Sequence, residues 1–258
     1  MIWFASDYHL DHENIIKFSE RPYANIGEMN KDICDTTNKY VMPNDLFVFN
    51  GDLSLGVNRD DELGYIKSVQ GYLEAINCKN VLWVGGNHDR LFVKRHGELV
   101  KNLPVWKMLR WRTQCSICLN VCPNKEYKGK CSKCGGTESE PIEGVYPMGL
   151  ELRLSSKLCG EHKLPALYKD ILITCTHYSM RVWNRSHHNR KKVEEDKLPR
   201  SINLYGHSHG ELPGIFCSFD CGWDVWRRPI NVVEVLEKFM PEHNKTEAAQ
   251  VYFGHHNK

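Results

Sequence analysis

Five short apolar runs each give way to a cluster of Asp, Asn, His and Gly, and this repeated ending constrains the fold more than any other feature of the chain. The runs are Ile2 to Ala5, Leu46 to Phe49, Val81 to Val84, Ile171 to Thr174 and Ile202 to Tyr205. Unbroken hydrophobicity over so few residues is the pattern of a strand buried on both faces. The endings are Asp7-Tyr8-His9, Gly51-Asp52, Gly85-Gly86-Asn87-His88-Asp89, Thr176-His177 and Gly206-His207-Ser208-His209. Between the runs lie stretches of helical character, among them Asn30 to Tyr40 and Leu63 to Ile76. Strands alternating with helices predict an α/β layer architecture. In open α/β folds ligands bind outside the carboxyl ends of the strands, so the polar endings are expected to meet at one site. A single histidine after a strand is more often a satisfied surface or core residue. Five such endings carry the functional reading, and the glycines beside them let the backbone turn sharply there.

The donors at these endings are Asp7, His9, Asp52, Asn87, His177, His207 and His209. They offer carboxylate, amide oxygen and imidazole without a thiolate, a set that suits hard or borderline divalent ions. Manganese is favoured, with iron, nickel or zinc as alternatives. Seven ligands exceed the needs of one ion, whereas two ions sharing a bridging carboxylate use about this number.

The remaining composition mainly excludes. At 258 residues, 41% hydrophobic and 26% charged, the chain is long enough for a sizeable core. No apolar run approaches the roughly 20 residues of a membrane helix, so a membrane partner is not expected. Asp7 follows Met1 so closely that no cleavable leader fits before it, and a cytoplasmic location is expected. A formal net charge of +2 is too slight to argue for nucleic acid. The run His187 to Lys197, rich in Arg, Lys and Glu, reads as a solvated face or loop.

Five of the eleven cysteines fall between Cys115 and Cys134. Cys115-x2-Cys118 and Cys131-x2-Cys134 are two knuckles with twelve residues between them, a spacing that fits tetrahedral thiolate ligation of one structural zinc. The competing reading is a loop of reduced or disulfide-bonded cysteines, with Cys122 a further candidate. Zinc would supply folding free energy to a segment too small for its own core. Lys125, Lys128, Lys130 and Lys133 would suit contact with a nucleic acid or nucleotide, although such ribbons also bind proteins. The organisation expected is a core in two parts, 1–112 and 149–240, a zinc-ribbon insertion at 113–148, and a C-terminal tail at 241–258. Cys34, Cys78, Cys159, Cys175, Cys217 and Cys221 are expected to be packing residues.

Taken in order, Asp-x-His, Gly-Asp, Gly-Asn-His-Asp, a His after a strand and Gly-His-x-His resemble the motifs of calcineurin-like metallophosphoesterases. The resemblance spans about Met1 to Val235 outside the insertion and implies a four-layer α/β/β/α sandwich. It also implies that Asp7, His9 and His209 hold one ion, Asn87, His177 and His207 the other, and that Asp52 bridges them. A narrower group of small bacterial and phage phosphohydrolases is similar in His12-Glu13-Asn14-Ile15-Ile16, Arg21-Pro22, His177-Tyr178, Trp183, Ser186-His187 and Gly222-Trp223-Asp224-Val225.

The implied chemistry is phosphate-ester hydrolysis by a hydroxide held between two ions. His88 is expected to face the substrate and protonate or stabilise the leaving oxygen, with Asp89 orienting His88. His12, Arg90, Arg181 and Arg185 are candidate substrate contacts, the last two on one face if a helix follows His177, with plain surface solvation of both arginines an equal alternative. A phosphodiester or nucleotide-like substrate is favoured over a phosphoprotein, because Gly51-Asp52-Leu53-Ser54-Leu55-Gly56 and Gly86-Asn87-His88-Asp89 differ from the motifs typical of protein phosphatases in the family. Two alternatives stay open: a phosphomonoesterase, protein phosphatases included, and a module that binds nucleic acid or protein through the zinc ribbon. The sequence leaves the native metal, the oligomeric state and the physiological substrate undetermined.

Overall fold

A computed structural model describes residues 1–55, 61–78, 80–89, 106–108, 112–115, 121–123, 139–141, 149–189 and 198–239. Two mixed, mainly parallel sheets dominate them. In the first, strands β1 (Ile2–Ala5), β2 (Leu46–Phe49), β3 (Asn80–Trp83) and β4 (Trp106–Met108) run parallel. The register pairs Phe4 with Val48 and Val48 with Leu82. The second sheet contains β8 (Leu150–Arg153), β9 (Leu172–Cys175), β10 (Ser201–Tyr205) and β11 (Ser218–Asp220) in the order β11-β10-β9-β8. Only β8 is antiparallel to its neighbour there. The short strand β12 (Ile230–Asn231) closes the first sheet antiparallel to β1. The expected strands appear with shifts of one residue, β3 at Asn80–Trp83 and β9 at Leu172–Cys175.

The alternation of side chains along the first sheet explains how its two faces are used. Trp3, Ala5, Phe47, Phe49, Val81 and Trp83 point to one side, where they pack with Met29 and Ile33 of α2 (Ile26–Tyr40) and with Tyr65, Val69 and Leu73 of α3 (Glu62–Ala75). Ile2, Phe4 and Val48 point to the other, joining Ile173, Cys175, Ile202 and Leu204 of the second sheet. A helix layer, a sheet and a second sheet therefore stack in that order. Both helices start on side-chain caps: Asn25 Oδ1 accepts the Glu28 N–H at 2.9 Å, and Asp61 Oδ1 accepts the Gly64 N–H at 2.8 Å. Shorter helices are α1 (Glu13–Phe18), α4 (Ser156–Glu161), α5 (Trp223–Trp226) and α6 (Val232–Glu237).

Between β4 and β8 lies a separate antiparallel sheet of β5 (Arg112–Cys115), β6 (Val121–Pro123) and β7 (Ser139–Pro141), in the order β6-β5-β7. Cys118, Cys131 and Cys134 lie outside the described residues, as do Arg90, residues 190–197 and the expected tail at 241–258.

Candidate metal centre

The carboxyl ends of β1, β2, β3, β9 and β10 deliver the candidate residues to one place. Past its last paired residue, β1 stays tied to the chain leaving β2: the N–H groups of Asp7, His9 and Leu10 donate to the carbonyls of Gly51, Asp52 and Leu53 at 3.0, 3.0 and 2.9 Å. The two segments are therefore fastened side by side. Five of the candidates, Asp7, His9, Asp52, His207 and His209, sit in left-handed backbone at φ between 49° and 65°. That region is unfavourable for residues with a Cβ and recurs at functional sites. Gly51, at φ 97°, is where glycine is required: a Cβ there would lie 2.7 Å from the Gly86 Cα and from the His177 Nδ1.

Three overlapping groups place their ligand atoms within 4.8 Å of one another: Asp7, His9 and His209; His9, Asp52 and His88; and Asp52, His177 and His207. Asp52 is shared by two of them. Its Oδ1 accepts the His88 N–H at 2.8 Å, while Oδ2 faces His177 Nε2 at 3.2 Å, His9 Nε2 at 3.6 Å and His88 Nε2 at 3.9 Å. Asn87 joins through Oδ1, 2.9 Å from His177 Nε2.

Two observations test whether a cation suits this site. His9 Nε2 is buried without a hydrogen-bond partner, 3.8 Å from Asp7 Oδ1, although leaving a buried polar atom unmet is costly. His177 Nδ1 lies 2.8 Å from the Asn50 carbonyl and so donates to it. That leaves Nε2 directed at two oxygen acceptors, an arrangement that needs either a proton or a cation there. The donors fit a divalent ion on both counts.

The protonation equilibria show the same strain in the protein alone. Burial pushes Asp7 up to about 7, with the Asp52 charge adding to it and His177 and His209 opposing. Burial also acts to raise Asp52, but its hydrogen bond and attraction to His177, with His9 and His88, hold it well below the usual carboxylate range. For His177 burial lowers the pKa, yet Asp52 and Asp7 overcome it and raise it to about 9. His9 is driven well down by burial, and His207 is lowered for the same reason.

The other predicted residues fare unequally. His12 and His88 line a cleft of about 750 Å³ beside the centre, together with Phe18, Glu20, His207 and Glu211. His12 Nδ1 lies 3.4 Å from His9 Nδ1. No helix follows His177, so the shared helical face that would bring Arg181 and Arg185 to the site does not form: residues 176–185 form bends and turns, Arg185 has φ 64°, and neither Arg181 nor Arg185 lines the cleft. The buried Asp89 spends its carboxylate elsewhere than expected. It accepts the N–H groups of Gly86, Asp52 and Leu53 at 2.7, 2.8 and 3.1 Å and the Trp83 indole at 3.1 Å, so it fastens the loops after β2 and β3 together. Burial and the Asp52 charge raise its pKa, against those backbone donors.

Sequence reading gave no role to Arg21 and Asp224. Their side chains are 0% and 3% exposed, and they form a two-pronged ion pair with Nε–Oδ1 and Nη2–Oδ2 both at 2.8 Å. Asp224 Oδ2 also lies 2.6 Å from His209 Nδ1. The only signal was their appearance in the motifs shared with the narrower phosphohydrolase group.

Parallel-rich sheets whose strand ends gather carboxylate, amide and imidazole donors define a protein built around a candidate divalent-metal site. Residues 1–211 match the family model described as calcineurin-like phosphoesterase, and the chain belongs to that family. Its members use divalent metal ions to hydrolyse phosphate esters. The uncharacterized protein MJ1445 of Methanocaldococcus jannaschii is 37% identical over 89 residues, covering 34% of this chain and 47% of that one, so the match spans under half of that relative's length. A crystallised protein of unknown function from Aquifex aeolicus, AQ665, superposes over 91% of this chain and 97% of its own with a TM-score of 0.47 and 17% identity. No helix among the described residues is long and apolar enough to cross a membrane.

Proposed function

We propose that Asp7, His9, Asp52, Asn87, His177, His207 and His209 hold two divalent cations, with manganese favoured over iron, nickel or zinc, and that the protein hydrolyses phosphodiesters or nucleotide-like esters. The observation that carries the reading is the Asp52 carboxylate, whose Oδ2 faces His9 on one side and His177 on the other and so links the two outer donor groups. Ions bound there would polarise the phosphoryl oxygens and lower the pKa of a water.

The protein's own residues do the rest. His88 Nε2 stands 3.9 Å from Asp52 on the cleft side, with its side chain 27% exposed, and is placed to donate a proton to the departing ester oxygen. His12 lies along the same wall and is assigned to binding the substrate. Asp89 acts by holding the Asp52 and Asn87 loops at a fixed separation. The Glu20 and Glu211 carboxylates line the cleft as well and disfavour densely anionic ligands.

The finer architecture belongs to the same proposal: a fourth, outer helical layer; core segments at 1–112 and 149–240; a C-terminal tail at 241–258; and a structural zinc held by Cys115, Cys118, Cys131 and Cys134 within 113–148. The two knuckles and their spacing support the zinc. Kinship with the small bacterial and phage phosphohydrolases rests on the shared motifs, of which Arg21 and Asp224 lie beside the centre. A cytoplasmic location is supported by six free cysteines among the described residues, at 34, 78, 159, 175, 217 and 221. The test is a panel of bis-p-nitrophenyl phosphate, p-nitrophenyl phosphate, nucleotides and a phosphopeptide, each with and without manganese. Manganese-dependent turnover with diesters preferred is expected. Turnover of the phosphopeptide alone would contradict the substrate class.

A further inference from the structure

Taking the two-cation centre as read above, we propose that Asp224, gripped by Arg21, is a positioning residue that fixes His209 with Nδ1 protonated and Nε2 turned toward Asp7 and His9, making this trio the tighter of the two cation positions. The argument begins with hydrogen bonding. An ionised carboxylate only accepts, so the 2.6 Å contact between Asp224 Oδ2 and His209 Nδ1 requires the proton on Nδ1. The bare nitrogen is then Nε2, the one left to the group formed with Asp7 and His9.

The carboxylate is itself immobilised. Arg21 meets both its oxygens, and two further guanidinium contacts tie to the chain that carries the other two donors, Nη2 to the Asp7 carbonyl at 2.7 Å and Nη1 to the Tyr8 carbonyl at 2.8 Å, while Nη1 also reaches Met29 Sδ at 3.4 Å. One buried side chain thus spans the segment after β1 and the start of α5, setting His209 in register with Asp7 and His9. A planar, five-donor guanidinium suits this task, and a lysine would not reproduce it.

The opposite group is built differently. His177 donates Nδ1 to a neutral backbone carbonyl, that of Asn50, and His207 is exposed. Each group has two buried members, Asp7 and His9 in one and Asp52 and His177 in the other, and they differ in the third: the His209 side chain is 22% exposed, less than that of the exposed His207. A carboxylate behind an imidazole raises its basicity more than a carbonyl does, and a drier setting strengthens each charge interaction. Both differences favour the Asp7, His9 and His209 position.

Isothermal titration of the chelator-stripped full chain with manganese chloride tests this. Two classes of site are expected in the wild type. In Asp224→Asn the tighter class weakens roughly 10- to 100-fold while the weaker class is unchanged, and Arg21→Lys shows an intermediate loss. The unchanged weaker class reports that the variant is folded. Equal affinities in wild type and Asp224→Asn, or a loss confined to the weaker class, would overturn the inference while leaving the metal centre intact. A wild type that binds no manganese would overturn both. Should Asp224→Asn not fold, long-range nitrogen–proton NMR of the metal-free wild type at alkaline pH decides: Nδ1 of His209 carrying the proton is the expected result, and Nε2 carrying it contradicts the proposal.

Discussion

Asp52 divides its two oxygens between backbone and site: Oδ1 takes the His88 N–H, and Oδ2 is left facing three imidazoles. Asp52→Asn keeps the shape and removes the charge. It is expected to lower manganese-dependent turnover more than about 100-fold, beyond the range reached by losing a mere supporting partner, as read in steady-state kinetics. His88→Ala is expected to lower kcat by about 100-fold or more while leaving manganese affinity within about threefold, since His88 is assigned to the departing oxygen. Equal losses in both quantities would move His88 into the set of ligands. The identities of these residues were legible because each follows an apolar run. Their partners were not: Arg21 and Asp224 stand 203 positions apart, and no spacing rule joins them. Asp89 was legible as a neighbour of His88, but its bonds go to Asp52 and Leu53, 36 or more positions earlier.

At the level of elements, buried parallel strands advertise themselves through continuous hydrophobicity, which is why β1 and β2 fall where the sequence places them. Of the strands outside the five apolar runs, β4, β11 and β12 are two or three residues long and draw their stability from neighbours in the sheets. The condition for a shared arginine face, a helix after His177, is not met because the chain there turns instead. Trp183 is anchored by its indole N–H on Ser201 Oγ at 3.0 Å, and Arg185 takes a left-handed conformation. Two substitutions probe the elements. Ile33→Ala empties the contact between α2 and the first sheet and is expected to cost about 2–5 kcal/mol in chemical denaturation. Gly51→Ala forces a Cβ between the Gly86 backbone and the His177 ring, and is expected to destabilise by about 1–3 kcal/mol and to weaken manganese binding. Unaltered affinity would show that the loop accommodates the methyl without moving His177.

For the molecule as a whole, the two sheets face each other across a shared apolar core while their strand ends bring two buried carboxylates and several imidazoles together at one edge. The burial of Asp7 and the unmet His9 Nε2 work against folding, and a cation between them would relieve both. Manganese at about 100 times the dissociation constant of a site is therefore expected to add about 2.7 kcal/mol to stability for that site, raising Tm by roughly 5–10 °C per occupied site over chelator-treated protein in a thermal melt. The layer arrangement was readable from the alternation of strands and helices. Which face of the first sheet meets helices and which meets the second sheet was not, because both faces are equally apolar. The central claim, a two-cation phosphoesterase, is tested most directly by following bis-p-nitrophenyl phosphate hydrolysis as manganese is titrated into stripped protein. Activity should be absent at the start and reach its plateau as two ions bind per chain. Turnover without metal, or none once two ions are bound, would contradict it.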